Sequence, residues 1–366
     1  MKVLSVVGAR PQFVKAAPVS RQLRSRHREI LVHTGQHYDD AMSEVFFRDL
    51  DLPPPDRDLG VGSGTHAVQT AEMLRRLEPV LEEEHPDVVL LYGDTNSTLA
   101  GALAAAKLAD PAGRRPAIAH VEAGLRSFNP AMPEERNRIV ADHLADLLLA
   151  PTETAMANLA REGLAERSVL VGDVMVDALE SAAERANGSL PAEATSHPGY
   201  VLMTLHRPSN VDDPARLGEW LAAAGQAGPV LFPVHPRTRA VLERAQVTVP
   251  PTVSLMPPAG YLVMVALERS AGVIATDSGG VQKEAYLAGV PCVTLRSETE
   301  WVETVDAGWN RLAPNPTDLA PAIAAARATD RGAARPPLYG DGHTARRIVE
   351  ALERLVAAHQ REEVAS

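Results

Sequence analysis

Residues 271–295 read AGVIATDSGGVQKEAYLAGVPCVTL. The apolar run AGVIA (271–275) ends in Asp-Ser-Gly-Gly, passes into the helical stretch VQKEAYLA and returns to a second apolar run, VPCVTL (290–295). Strand, turn, helix, strand is the unit from which parallel sheets are built. Ser278, Gly279 and Gly280 stand at the mouth of the helix. Their backbone N–H groups, backed by the positive end of the helix dipole, suit a phosphate, and glycine lets it approach closely. The same residues serve equally as a plain helix start, capped by Asp277 or Ser278.

The alternation continues in both directions. KVLSVVG (2–8) precedes PVSRQLRSR (18–26), and EILVHTG (29–35) precedes MSEVFFRDL (42–50). PDVVLLYGD (86–94) precedes STLAGALAAAKLA (97–109), and PAIAHVEAG (116–124) precedes PEERNRIVADHLAD (133–146). The pattern restarts near residue 199 with GYVLMTLHR, GPVLFPVHP and PTVSLMP. A chain of 366 residues is long for one core. The expected fold is therefore α/β, two Rossmann-like domains facing a cleft. The expected domains are 1–170 with candidate catalytic carboxylates, 171–340 with the phosphate loop, and a helix over 341–366 packing back on the first. That helix shows an apolar stripe at Ile348, Leu352, Leu355 and Val356. The segment 184–199, ERANGSLPAEATSHPG, reads as linker or surface loop.

Composition narrows the function. The net charge of −11 and the lack of a basic stripe argue against nucleic acid. No run approaches the roughly 18 apolar residues of a membrane span. The opening MKVLSVVGARPQF is too soon interrupted for a signal peptide and reads as a first strand. The single cysteine, Cys292, lies in an apolar run and reads as a small core residue; a cytoplasmic home is expected.

In a doubly wound sheet the ligand lies beyond the carboxyl ends of the strands. Those ends carry Arg10 and Lys15, then Asp94, then His120, Glu122 and Arg126. The loop MPEERNR adds Glu134, Glu135 and Arg138, and the second half adds His206, Arg207 and His235. Arg10 and Lys15 are either a clamp on phosphate oxygens or a surface pair. Asp94, Glu122 and Glu134 come from neighbouring loops, and close carboxylates push their pKa values apart, as general acid–base work requires. A histidine such as His206 suits a departing phosphate. His120, His206 and His235 could instead mark a metal, but no metal-binding spacing is present and none is expected. Glu284, about one helical turn past the glycines, reads as a ribose ligand or as a solvated helix residue.

As a set these motifs resemble the non-hydrolysing UDP-N-acetylglucosamine 2-epimerases. The matching runs are GARPQFVKA, HTGQHYDDAMSEVFF, YGDTNSTLAGALAAAKL, HVEAGLRS, MPEERNR, VGDVMVDAL, TLHRPSN, HPRT, TDSGGVQKEA and LYGDGHTARRI, in order over nearly the whole length. The resemblance implies a glycosyltransferase-B arrangement, a homodimer, a UDP-sugar substrate and no cofactor. It places Asp94, Glu122, Glu134 and His206 at catalytic positions. It places Arg10, Lys15, Ser278, Gly279, Gly280 and Glu284 at nucleotide-binding positions, with the uracil near PPAGY (257–261). Arg138 and His235 complete the expected substrate contacts. The implied reaction removes the C2 proton and UDP, leaving 2-acetamidoglucal, and then returns both with the proton on the other face.

Departures from the family pattern are informative. TLHRPSN has Ser209 where glutamate is usual, and TEWVE (299–303) has Trp301 where an arginine is usual. In the regulatory second site of some members, QHYDDAM keeps Gln36 but puts Asp39 in the next polar slot, and GSGTHA (62–67) lacks the expected arginine. Weak or absent activation by substrate is expected. GARPQF, SFNPAMPEE and TEWVE also resemble the branch acting on UDP-2,3-diacetamido-2,3-dideoxyglucuronate, the alternative substrate. A glycosyltransferase of the same fold and a hydrolysing epimerase are the more distant readings.

Overall fold

The computed structural model of the chain describes residues 1–36, 47–109 and 114–365. Asp39, and part of the helix expected over 42–50, lie outside the described residues. The chain divides into two compact units, Met1–Glu180 with Pro337–Ser366, and Ser181–Pro336.

The first unit holds a seven-stranded sheet in the order β3-β2-β1-β4-β5-β6-β7. Its strands are β1 (Lys2–Val7), β2 (Arg28–His33), β3 (Arg57–Asp58), β4 (Val88–Tyr92), β5 (Ala117–Val121), β6 (Leu147–Ala150) and β7 (Ser168–Leu170). The second holds six strands in the order β10-β9-β8-β11-β12-β13. They are β8 (Val201–Thr204), β9 (Val230–Pro233), β10 (Val253–Met256), β11 (Val273–Thr276), β12 (Cys292–Thr294) and β13 (Asn310–Leu312). Every pairing in both sheets is parallel. Two Rossmann-like α/β units are thus present. The central strands are buried on both faces, as helices on either side of a parallel sheet demand. Leu4, Val6, Val89, Leu91, Ile118 and Leu148 fill one face of the first sheet. In the second, Val201, Met203, Phe232 and Trp220 pack on one side, and Leu202, Ile274 and Cys292 on the other. Burial pushes the Cys292 thiol up to about 12. Among the described residues no helix is long and apolar enough to cross a membrane.

The first helix spans Arg10–Arg24, beginning right after β1 with Pro11 in its first turn. The helix read over 133–146 ends earlier, spanning Pro133–Leu144. Asp146 instead accepts the Ile118 N–H at 2.9 Å and pairs with Arg115, which starts β6. The helix Thr344–Ala365 packs against the helix Arg10–Arg24 and against β5 and β6, and His27 Nε2 lies 2.8 Å from Glu353 Oε1. Segment 184–199 is not all loop: it includes the short helix Ala192–Ser196.

In each sheet the strand order reverses once, beside β1 and β4 in the first and beside β8 and β11 in the second. Loops diverge at such a point and leave a crevice for a ligand.

Candidate active site

In the first unit the loops after β1 and β4 are tied together by one side chain. Gln12 Oε1 accepts the N–H groups of Gly8 and Ala9, at 2.8 and 3.1 Å. Its Nε2 donates to the Tyr92 carbonyl at 2.8 Å and to Thr98 Oγ1 at 3.1 Å. Gly93 follows with φ +63°, and a Cβ there would sit 3.3 Å from Lys15 Nζ and 3.4 Å from Glu122 Oε2. Glycine keeps this turn left-handed and its face bare. Lys15 Nζ donates to Glu122 Oε2, and both side chains are largely buried. Glu122 has φ +71°, uncommon for a residue with a side chain. Arg10, at the start of the same helix as Lys15, is half-buried.

Asp94 is held from the helix Pro133–Leu144. Arg138 Nη2 donates to Asp94 Oδ2, and its Nη1 donates to Glu135 Oε2 at 2.6 Å. Asn137 Nδ2 donates to the Asp94 carbonyl at 2.9 Å. Burial pulls the Arg138 guanidinium down, but Asp94 and Glu135 outweigh it and hold it above its ordinary value. Glu135 also accepts the N–H groups of Ser127 and Phe128 at 2.9 and 3.0 Å. Burial raises its carboxyl, but Ser127, Arg138 and Phe128 together bring it below the usual range. Glu134, its neighbour in the first turn, is half-buried and has no ion-pair partner among the described residues. The two adjacent glutamates therefore differ: Glu135 braces the loop, and Glu134 is left open.

In the second unit Asp277 directly follows β11 and is fully buried. It does not cap its own helix. Its carboxylate accepts the N–H of Arg207 at 2.9 Å, that of His206 at 3.1 Å, and Asn210 Nδ2 at 3.2 Å. His206 Nδ1 lies 3.0 Å from Asp277 Oδ1. Burial raises the Asp277 carboxyl, but these partners, His206 foremost, bring it below the usual range. The helix Gly279–Ala288 begins at Ser278 with no side chain capping its first turn. The side-chain cap allowed for in the sequence is absent, and the first-turn N–H groups of the glycine loop are left to other partners.

Around that loop, Glu300 accepts from Arg296 at 2.9 and 3.1 Å and has Arg207 Nη2 at 4.0 Å. Lys283 and Trp301 are both buried, with the ammonium 4.1 Å from the ring centroid. Trp301 Nε1 would be 3.6 Å from a Cβ on Gly279. His235 caps the helix Pro236–Arg244, its Nδ1 accepting the Arg237 N–H at 3.2 Å, and its ring lies 5.7 Å from that of His206.

Glu284 is buried rather than solvated. Beside it stand Glu268, both of whose oxygens are buried without a donor, and the Tyr261 hydroxyl. Burial pushes the Glu284 carboxyl up to about 7, with Lys283 pulling the other way. Burial and Glu284 together push Glu268 well above the carboxylate range. A carboxyl without N–H or O–H donors is accommodated by holding its own proton.

The sequence reading passed over Gln12, Asp142 and Glu268, and named Glu135 with its loop but gave it no role. Glu135 and Glu268 look like surface helix residues in a linear sequence, and only the fold brings their partners. His120, weighed there as a metal ligand, is fully buried with both ring nitrogens engaged.

The sequence profile of the UDP-N-acetylglucosamine 2-epimerase family matches residues 21–353. A UDP-N-acetylglucosamine 2-epimerase homolog of Methanococcus maripaludis is 50% identical over 321 residues, which cover 85% of this chain and 88% of that protein. The UDP-2,3-diacetamido-2,3-dideoxy-D-glucuronate 2-epimerase of Pseudomonas aeruginosa is 47% identical, covering 97% of this chain and 100% of its own. The crystal structure of Methanocaldococcus jannaschii UDP-GlcNAc 2-epimerase in complex with UDP-GlcNAc and UDP is similar with a TM-score of 0.87 and 39% identity, over 97% of this chain and 100% of that one. The chain belongs to the UDP-N-acetylglucosamine 2-epimerase family and is an isomerase of the epimerase type.

Proposed function

We propose that the chain interconverts UDP-GlcNAc and UDP-ManNAc without hydrolysis. The observation that carries this reading is the division of labour between the two switch points. The first holds Asp94 against Arg138 and Glu122 against Lys15, with Glu134 in the first turn of the helix that carries Arg138. The second offers an uncapped glycine helix start beside His206 and Arg207.

In this reading a carboxylate of the first set takes the C2 proton. The C1–O bond breaks with its electron pair going to the UDP oxygen, and C1=C2 forms. Ser278, Gly279 and Gly280, with His206, Arg10 and Lys15, hold the diphosphate as charge grows on it, where fixed donors are most effective. UDP then adds back at C1 while C2 takes a proton on the opposite face. Glu284 takes the ribose hydroxyls, and Arg138 and His235 line the substrate. The homodimer implied by the resemblance is tested by light scattering.

A second reading keeps the reaction and changes the sugar to a 2,3-diacetamido-uronate. It is supported by the 47% identity to the Pseudomonas aeruginosa enzyme over 97% of this chain, which stands beside 50% over 85% to the Methanococcus maripaludis homolog. One experiment separates them: proton NMR in D2O with each UDP-sugar in turn. Deuterium at C2 of UDP-ManNAc supports the first reading, and exchange confined to the uronate supports the second. Free ManNAc, or no exchange in either sugar, would sink both.

A further inference from the structure

A buried pair lies directly beneath the first unit's carboxylates. His120, near the end of β5, has Nδ1 2.7 Å from Asp142 Oδ1 and Nε2 2.6 Å from the Gly93 carbonyl oxygen. Both are acceptors, so both ring nitrogens donate. Asp142, fully buried, accepts the Gly124 N–H at 3.1 Å and Arg126 Nη2 at 2.8 Å through its other oxygen. Burial would raise the Asp142 carboxyl, but His120 and Arg126 together hold it below the usual range. Gly93 immediately precedes Asp94, and Gly124 lies two residues past Glu122. A single pair therefore fixes the residue before one carboxylate and the turn after the other.

The Gly93 link is the one that needs an outside restraint. Gly93 has φ +63°, and its N–H is held by the Val121 carbonyl at 3.1 Å. Its carbonyl orientation sets where the next side chain starts. His120 is the side chain that holds that carbonyl.

We propose that His120, braced by Asp142, is the positioning residue that sets the Gly93–Asp94 turn and so aligns Asp94 for proton transfer. It touches no substrate itself. The inference rests on the reading of the chain as a 2-epimerase that uses Asp94.

Two conservative variants divide the two bonds. His120→Asn puts an amide where Nδ1 stands, keeping a donor to Asp142 and losing the one to Gly93. His120→Gln puts an amide where Nε2 stands, keeping the Gly93 bond and leaving Asp142 short of a donor. Misplacing a reacting group by about 1 Å costs roughly 100-fold, so kcat of H120N should fall by about that factor with KM within about twofold. H120Q should stay within about tenfold of the parent, although it melts lower because a buried carboxylate has lost a partner. If kcat of the two variants follows their melting temperatures, or if H120N matches H120Q, the positioning role is wrong. Should either variant precipitate, the same comparison is made in a D142N background, where the new amide can donate to H120Q. The parent's own C2 exchange in D2O is the control. Its absence overturns the epimerase reading, whereas its presence with equal variants overturns only the role of His120.

Discussion

Lys283 keeps its ammonium 4.1 Å from the centroid of the Trp301 ring, with both side chains buried beneath the glycine loop. A desolvated cation–π contact of this kind contributes about 2 kcal/mol. Arginine, the residue the resemblance leads one to expect at this position, would bring a second cation against Lys283. Trp301→Arg should therefore destabilise the protein by about 3 kcal/mol, the cost of an unpaired buried charge. Adding Lys283→Met removes the opposing cation and should restore part of the loss. Thermal melts of the two singles and the double decide it: additive losses would show that the two positions do not answer each other.

Arg138 links Asp94 to Glu135, so its removal leaves two carboxylates without their shared cation. Arg138→Met should lower kcat at least about 100-fold and destabilise by about 3–5 kcal/mol. Arg138→Lys keeps the charge but not the fork, and should recover stability better than turnover. Asp94→Asn should bind UDP as the parent does, measured by calorimetry, and lose turnover. Unchanged turnover would remove Asp94 from the chemistry.

The Asp277 carboxyl is held below its unfolded value. Its contribution to stability is thus fully present above about pH 4 and is lost as pH falls through the folded value. Asp277→Asn should cost about 2 kcal/mol at neutral pH, through the weakened bonds to His206 and Arg207. It should also flatten the acid limb of a melting-temperature profile taken from pH 3 to 7. A variant with the parent's acid limb would assign that limb to other carboxylates.

Glu284 has the opposite sign. Its folded value of about 7 lies above the unfolded 4.5, so the folded state keeps a proton that the unfolded state has given up. Stability from this group is greatest below about pH 4.5, declines as pH rises towards 7 and is flat beyond. Glu268→Gln removes a second buried carboxyl, itself pushed well above the carboxylate range by burial and by Glu284, and with it that group's own share of the decline. It should lift the melting temperature at pH 8 relative to pH 6. No change in that difference would show that Glu268 does not govern the decline.

Much of this was legible in the linear chain, and the exceptions have physical causes. The βαβ order around 271–295 and the run 86–109 read correctly because apolar strands, glycine turns and helical spacing are local signals. β6 escaped because LLLA (147–150) follows a helix with no turn residue between them, and its start depends on Asp146 binding Arg115 and Ile118, partners far away in sequence. The loops bearing Asp94, Glu122 and His206 could be named from their place at strand ends. The state of Glu284 could not, because its surroundings come from the helix Tyr261–Ser270, and burial rather than sequence spacing decides whether a glutamate keeps its proton. Asp277 is the instructive reversal. Its position is that of a helix cap, but its carboxylate serves the neighbouring loop, a choice made by the parallel register of β8 and β11.

The chain leaves its first unit at Glu180 and re-enters it at Pro337, where Asp173 N–H meets the Tyr339 carbonyl at 2.8 Å and Asp177 accepts the N–H groups of Thr344 and Ala345. During synthesis the sheet of the first unit therefore stays one helix short until the helix Thr344–Ala365 emerges, while 181–336 by then has every strand of its own sheet. The half made first is finished last. A stop codon near residue 337 would take the closing helix from Met1–Glu180 and leave 181–336 with all its strands.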